Sequence, residues 1–317
     1  MREKALCGKP LVSCLIPTHN RAPILSRAID SVLQQTYHNI ELIVIDNLST
    51  DRTKEIVNEY IQRDNRVNYL SYSAAANAAA TRNFGLKHAK GTYIAFLDDD
   101  DYWEPNKISE QIKWAEDYSV IGCRYITIRN HKHITRKIKE FLEDHLTFYF
   151  SPVKRVELKH ILENNSSISP SNMLVKSNFL REIGGFFEDL PAAQGRDLFI
   201  RLIKKYGSAA VVNQRLARRY ENHEFVRITS RPVLIEGSWK EFRRNQHLMD
   251  GAQRRRRLIS IYLFTALYSD GGVSNRRQGI VNALKQLRIK EVHKQIHLFI
   301  RFIWLRRNIL FRKGLLW

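Results

Sequence analysis

Four consecutive carboxylates, Asp98-Asp99-Asp100-Asp101, follow the apolar run Tyr93-Ile94-Ala95-Phe96-Leu97. Like charges this close repel and raise one another's pKa, so the cluster needs something that offsets the repulsion. Hard divalent cations take oxygen ligands, and Mg2+ is commonly held by one or two carboxylates together with substrate phosphates. The run therefore points to a Mg2+ or Mn2+ site that works on a phosphorylated ligand. A plainer reading has one Asp capping a following helix, with Pro105 near its first turn, and the others solvated. Capping uses only one of the four.

The elements that must position these groups can be read from hydrophobic periodicity. Leu11 to Ile16 reads as a buried strand closed by Pro17, and Ile24 to Gln35 as a helix with apolar positions at Ile24, Leu25, Ala28, Ile29, Val32 and Leu33. Ile40 to Ile45 is a second strand ending in Asp46-Asn47, and Ser49-Thr50-Asp51 offers cap residues for a helix over Thr53 to Ile61. Val67 to Tyr72 is a third strand, Asn77 to Ala89 a third helix, and Tyr93 to Leu97 a fourth strand. Strands alternating with helices of this length predict βαβ units and a largely parallel sheet covered on both faces. Ligands of such sheets bind beyond the carboxyl ends of the strands. Pro17 to Arg21, Asp46-Asn47 and Asp98 to Asp101 all fall there, so they are expected to converge on one rim.

Composition bounds the alternatives. The chain has 317 residues, 44% hydrophobic and 26% charged, enough for one large domain with an extension or for two domains. Its three cysteines have no metal-ligand spacing, which predicts packing roles in a reducing compartment. No signal peptide is visible and no run reaches the roughly 18 apolar residues of a spanning helix, so the protein is expected in the cytoplasm. The formal charge of +20 is concentrated late: Val226 to Trp317 holds 20 Lys and Arg against 5 Asp and Glu. Nucleic acid and an anionic membrane surface are the two partners that such a tail suggests.

Val12 to Arg21 (VSCLIPTHNR), Ser31 to Tyr37 (SVLQQTY), Glu41 to Asp51 (ELIVIDNLSTD), Thr81 to Gly85 (TRNFG) and the four aspartates together resemble the inverting nucleotide-sugar transferases of glycosyltransferase family 2. The likeness is close over roughly the first 110 residues and looser to about residue 230. It implies an α/β GT-A fold, a Rossmann-like, mixed but mostly parallel sheet flanked by helices. Residues 1–230 would form that domain, with 1–118 as the nucleotide-sugar half and 119–230 as the acceptor half, and 231–317 would be a basic helical extension. It further implies a nucleoside-diphosphate sugar donor, a divalent metal (Mn2+ or Mg2+) and a glycan acceptor.

Carried over residue by residue, the resemblance assigns Pro17, Thr18 and Asn20 to backbone contacts with the base and Asp46 to a hydrogen bond with it. Arg82 would lie near the nucleotide, where a guanidinium can stack or fork to phosphate. Asp98 or Asp99 would hold the ribose and Asp100 the metal, while Asp101 has no firm role. Arg218 to Thr229 resembles the family's closing segment, in which His223 would complete the metal shell or touch the diphosphate and Arg227 could neutralise phosphate charge. The middle of the chain says less. Ile121 to Ile128 reads as a strand, the His131 and His133 pair, which could bind a metal, more readily as a solvated loop, and Ser169 to Val175 and Ala209 to Val212 as further strands.

Gly184-Gly185-Phe186-Phe187-Glu188 resembles the family segment that precedes an acidic pair and a helix, here expected over Asp197 to Tyr206. The Asp of that pair removes the proton from the acceptor hydroxyl. In this chain the stretch is Gln194-Gly195-Arg196-Asp197-Leu198, and Gly195 occupies the position of the base. Asp197 is the preferred replacement, Glu188 or Asp189 are loop alternatives, and loss of catalysis is the third. The competing function is accordingly a non-catalytic nucleotide-sugar-binding or scaffold protein.

From Trp239 the pattern is helical, and Ile296 to Trp317 interleaves Phe299, Phe302, Trp304 and Leu310 with Arg301, Arg306, Arg307 and Arg312. That is too apolar for a nucleic-acid tail and suits an interfacial helix on an anionic leaflet, with packing onto the catalytic domain as the other reading. A peripheral enzyme at the cytoplasmic face that extends a lipid-linked glycan is the expectation; nucleic acid is not an expected partner.

Overall fold

The computed structural model describes residues 8–74, 77–128, 152–163, 168–220 and 231–268, with scattered positions between 278 and 285. The chain divides into two compact units, one of Met1–Ile161, Ser166–Glu188 and Gly195–Val226, the other of Leu162–Asn165, Asp189–Gln194 and Arg227–Trp317.

The first unit is built in the order β1 (Val12–Thr18), α1 (Ala22–Leu33), β2 (Ile40–Asp46), α2 (Thr53–Arg63), β3 (Val67–Ser71), α3 (Ala78–His88), β4 (Tyr93–Phe96), β5 (Asp101–Trp103), α4 (Lys107–Ile112), β6 (Val120–Ile128) and β7 (Val153–Val156). A 3-10 turn at Pro170–Asn172 then leads to β8 (Leu174–Lys176), α5 (Ser177–Glu182), α6 (Gln194–Tyr206) and β9 (Ala209–Tyr220). One sheet runs β3-β2-β1-β4-β8-β6-β9-β5, with β7 also on β9. Its first four strands are parallel, as are β6 and β9, whereas β8, β5 and β7 run antiparallel to their neighbours.

Every residue of β1 is buried, as a parallel strand covered on both faces requires. Helix α1 starts with a Pro in its first turn and buries Leu25, Ala28, Ile29 and Val32 on one stripe against that sheet. Asn77 caps α3, its Oδ1 accepting from the Ala79 and Ala80 N–H groups at 2.9 and 3.2 Å. Register brings Thr18 beside Asp46, and Leu15 beside Phe96, so the carboxyl ends of β1, β2 and β4 share one edge.

Three readings of the sequence are corrected, the first of them the plainer alternative for the aspartates. No aspartate of the run caps a helix: the Asp101 N–H turns back to the Asp98 carbonyl at 3.0 Å, Asp101–Trp103 forms β5, and α4 begins only after Asn106. The burial of Trp103 and its place opposite Ala217 on β9 outweigh the capping preference of Asp. The strand expected from Ser169 shortens to β8, because Pro170 and the bond from the Ser169 N–H to Asn172 Oδ1 (2.7 Å) favour a 3-10 turn. The strand expected at Ala209 to Val212 continues to Tyr220, since its second half pairs with both β6 and β5.

Two described cysteines, Cys14 and Cys123, are buried and free, in keeping with packing roles. Between them in electrostatic reach lies Lys107, fully buried, its Nζ 3.8 Å from the centre of the Trp103 ring and without a hydrogen-bond partner among the described residues. Burial pulls its pKa down from 10.5 to about 8, while it pushes Cys14 and Cys123 up to about 12 and 11. From about pH 8 to 10 the unfolded chain therefore binds the Lys107 proton more tightly than the folded one, so Lys107 contributes a rise of stability with pH, while the raised Cys14 and Cys123 thiols, whose protons the folded chain holds more tightly, contribute a fall above about pH 9. Lys107→Met, which keeps the stem over Trp103, is expected to raise stability at pH 7 by about 1–3 kcal/mol and to remove that rise. Thermal melts at pH 7 and 9.5 check both; a less stable variant at pH 7 would contradict them.

The second unit contains α7 (Arg231–Asn245) and α8 (Gly251–Tyr268). Trp239 meets Phe242 and Tyr262 edge to face, and the buried Glu241 carboxylate accepts from Arg257 Nη2 at 2.6 Å. No helix among the described residues is long and apolar enough to cross a membrane. The Ile296 to Trp317 stretch lies outside the described residues, as does the His131 and His133 pair.

Candidate active site

The carboxyl edge of β1, β2 and β4 gathers most of the residues singled out in the sequence. Pro17 and Thr18 end β1 and are buried. Asn20 follows in the left-handed region, φ 53°, a conformation that Asn tolerates better than most residues. Its Oδ1 accepts from the Thr50 N–H at 2.7 Å, and its own N–H donates to Ser49 Oγ at 2.8 Å, clasping the loop after β1 to the loop after β2. Asp46 is 3% exposed; one carboxylate oxygen accepts from the Ser49 N–H (3.0 Å) and the other from the Tyr69 hydroxyl (2.7 Å). Each oxygen keeps a further lone pair, so a base N–H remains a permissible third donor.

The aspartate loop lies on the same edge. Asp98 accepts from Arg82 Nη2 at 2.5 Å, so that α3 grips the loop, and the Asp98 N–H donates to Ser171 Oγ at 3.2 Å. Arg27 of α1 donates to the Asp100 carbonyl at 2.7 Å while its guanidinium lies 3.7 Å above the Tyr220 ring. Trp103 Nε1 donates to the Ser171 carbonyl at 2.6 Å, so the Pro170–Asn172 turn backs the whole loop.

The aspartates of this loop bear on one another's titration. Burial, and then the Asp100 charge, push the Asp99 carboxyl up to about 7, although Thr18 and Arg21 pull it down. Among the described residues Asp99 Oδ2 is enclosed without a hydrogen-bond partner, and so is the Thr18 hydroxyl, which is near enough to lower the Asp99 pKa but not aligned for a bond. Asp101 is pushed well above the carboxylate range by burial and by Asp98 and Asp100, against Ser171 and Arg219. An enclosed acceptor with no donor among the described residues, inside a loop of hard oxygen ligands, fits a divalent cation of the Mg2+ or Mn2+ type. Among the described residues no three His, Cys, Asp or Glu side chains form a ready-made cage. A cation held by one carboxylate and by phosphate oxygens does not require one.

The acceptor side differs from expectation in its packing. Asp197, in the first turn of α6, is 1% exposed, and Arg201 Nε donates to its Oδ2 at 2.7 Å. The other two nitrogens of Arg201 donate to the Ile183 and Gly185 carbonyls at 2.9 and 2.8 Å, so the pair braces the Gly184-Gly185 turn. At Gly195, a Cβ would stand 2.7 Å from Pro170 Cδ, so the position takes no side chain unless that ring moves. Glu188, in contrast, is exposed and accepts from Asn83 Nδ2 at 2.7 Å. His223 and Arg227 lie outside the described residues.

Reading the sequence alone did not single out Arg27, Tyr69, Asn83 or Ser171. The first three carried a visible signal as polar residues within otherwise well-patterned elements; Ser171 carried none, because its turn was read as strand.

Comparison with known proteins bears on the family and the fold. Residues 13–184 match the model of the family described as glycosyl transferase family 2. The Escherichia coli (strain K12) protein WcaA, named for colanic acid biosynthesis and glycosyl transfer, is 29% identical over 259 residues, 80% of this chain and 88% of that one. WfaP of Escherichia coli, named as a UDP-Glc:alpha-D-GlcNAc-diphosphoundecaprenol beta-1,3-glucosyltransferase, is 45% identical over 106 residues, 33% of this chain and 41% of that one. In structure the chain is similar to Staphylococcus aureus TarS 1-349 in complex with UDP, with a TM-score of 0.61 at 15% identity over 96% of this chain and 91% of that one. The last likeness establishes the GT-A type of sheet. With a family model spanning more than half its length on that fold, the chain belongs to glycosyl transferase family 2 and is a glycosyltransferase.

Proposed function

We propose that this glycosyltransferase moves a sugar, with inversion at the anomeric carbon, from a nucleoside-diphosphate sugar to a lipid-carried glycan during polysaccharide assembly. The observation that carries the reading is the convergence of Thr18, Asp46, Arg82 and the aspartate loop on one sheet edge. Pro17, Thr18, Asn20 and Asp46 would hold the base, Arg82 the nucleotide, and Asp98 and Asp99 the ribose. Asp100, with His223 from the following segment, would hold Mn2+ or Mg2+, which when bound stabilises the departing diphosphate. Residues 1–118 would serve the donor and 119–230 the acceptor. The WfaP name supports a diphosphate-lipid acceptor for that relative. The basic, aromatic composition of 296–317 supports contact with an anionic membrane surface.

A non-catalytic nucleotide-sugar-binding role is the second reading, favoured by the closed position at Gly195. One experiment separates the two. Release of nucleoside diphosphate is followed with UDP-, GDP- and dTDP-sugars and Mn2+, using a sugar-diphosphate lipid in anionic vesicles as acceptor. The enzymatic reading predicts turnover of at least one donor, its loss with EDTA, and release of the protein from the vesicles when 296–317 is removed. Tight nucleotide binding with no turnover of any donor would favour the second reading, and unchanged sedimentation would remove the membrane role of the tail.

A further inference from the structure

The missing carboxylate at position 195 raises the question of which group takes the acceptor proton in the reaction proposed above, on which this inference rests. Position 195 is sterically closed by Pro170. Asp197 is enclosed, 1% exposed, and its Oδ2 is already engaged by Arg201, so an acceptor hydroxyl has no open approach to it. A base must be reachable by the acceptor, held in place, and close to the donor.

Glu188 meets these conditions among the described residues of this unit. It is exposed, so an acceptor hydroxyl can approach it. Its backbone is fixed by Asn77 Nδ2, which donates to the Glu188 carbonyl at 2.6 Å, and its side chain by Asn83 Nδ2, which donates to Oε1 at 2.7 Å. Asn83 also exchanges two hydrogen bonds with the Phe186 backbone, both 2.8 Å. That approach requires glycine at 185, where φ is 67° and a Cβ would collide with Asn83 Oδ1. The donor edge is adjacent. Arg82, next to Asn83 on α3, grips Asp98, its guanidinium 5.4 Å from the Phe186 ring, and Phe186 meets Phe96 at the end of β4 edge to face at 5.1 Å. Glu188 is two residues from Phe186, within about 7 Å along an extended backbone. Neighbouring residues of one helix thus hold the aspartate loop and the carboxylate.

We infer that Glu188 is the general base of the transfer. The acceptor O–H proton passes to a Glu188 carboxylate oxygen as the acceptor oxygen bonds to the anomeric carbon. The bond from that carbon to the diphosphate breaks, and its electron pair leaves with the diphosphate.

Glu188→Gln tests this cleanly, because glutamine Oε1 still accepts from Asn83. The assay uses whichever UDP-, GDP- or dTDP-sugar the wild type turns over, with water as acceptor where no glycan serves. The expected result is a fall in kcat of about 10²- to 10⁴-fold, with nucleotide Kd within about twofold and the acidic limb of the kcat/KM profile abolished. Glu188→Asp should recover part of kcat and restore the limb. Retention of kcat within about threefold by Glu188→Gln would overturn the inference. So would loss of the acidic limb in a folded Asp189→Asn or Asp197→Asn variant instead. A wild type that binds nucleotide but turns over no donor would overturn the proposed function itself, and this inference with it, whereas an active wild type with an indifferent Glu188→Gln removes the base assignment alone.

Discussion

Asp100→Asn is expected to lower donor turnover by about two to three orders of magnitude while leaving the folded protein as stable as before or more so. The two effects have opposite signs for one reason. In the protein without ligand, the Asp100 charge raises the carboxyls of both Asp99 and Asp101, so its removal relieves repulsion inside a buried loop. The loop keeps its shape, because Arg27 donates to the Asp100 backbone carbonyl and not to its side chain in the bond that anchors it. With donor bound, the same carboxylate would join the cation to the diphosphate, and an amide is a far poorer ligand for a hard ion. Nucleoside-diphosphate release at saturating Mn2+, paired with thermal melts of the apo protein, checks both signs. Unchanged turnover would remove Asp100 from the metal site, and a large loss of stability would make its role structural.

Asp197→Asn should act through folding. Removing the carboxylate leaves Arg201 facing two carbonyls and no countercharge in a place where the Asp side chain is 1% exposed. Breaking a buried pair on one side costs about 3 kcal/mol, equivalent to a fall in Tm of about 6–12 °C in a domain of this size. Activity measured well below that Tm should then be largely retained. A variant that melts like the wild type but has lost kcat by about a hundredfold would instead make Asp197 the base. The distinction matters because Asp197 is the carboxylate that the family resemblance points to first, and its neighbours in space, not its position in sequence, argue against it.

How far the sequence speaks for itself differs between the two sides of the site. Strands β1 to β3 and their helices were legible because each is a single βα step, a β-rich run, turn or cap residues and then a helical stretch, and β4 was legible as one more apolar run. The donor edge follows from that alternation without knowledge of any side-chain contact. The acceptor side depends on pairings that local pattern does not encode. Asp101 looked like a cap or turn residue because carboxylates usually are, yet its strand exists only by pairing with Arg219 on β9. Ser171 matters through Asp98, 73 positions earlier, and Asn83 through Glu188, 105 positions later. Gly195 read as a missing catalytic group, and only packing against Pro170 shows that the site was filled from outside its own segment. Lys107 shows the same limit, since a lysine at the start of an amphipathic helix reads as solvent-facing until Trp103 is found beneath it.

The central claim is that the aspartate edge binds a nucleoside diphosphate through a divalent cation and that the bound donor is turned over. Its most direct measurement is release of nucleoside diphosphate by the wild type from UDP-, GDP- and dTDP-sugars, with Mn2+ and again with EDTA. The account predicts turnover of at least one donor with Mn2+ and none with EDTA; turnover indifferent to EDTA, or nucleotide binding without turnover of any donor, would contradict it.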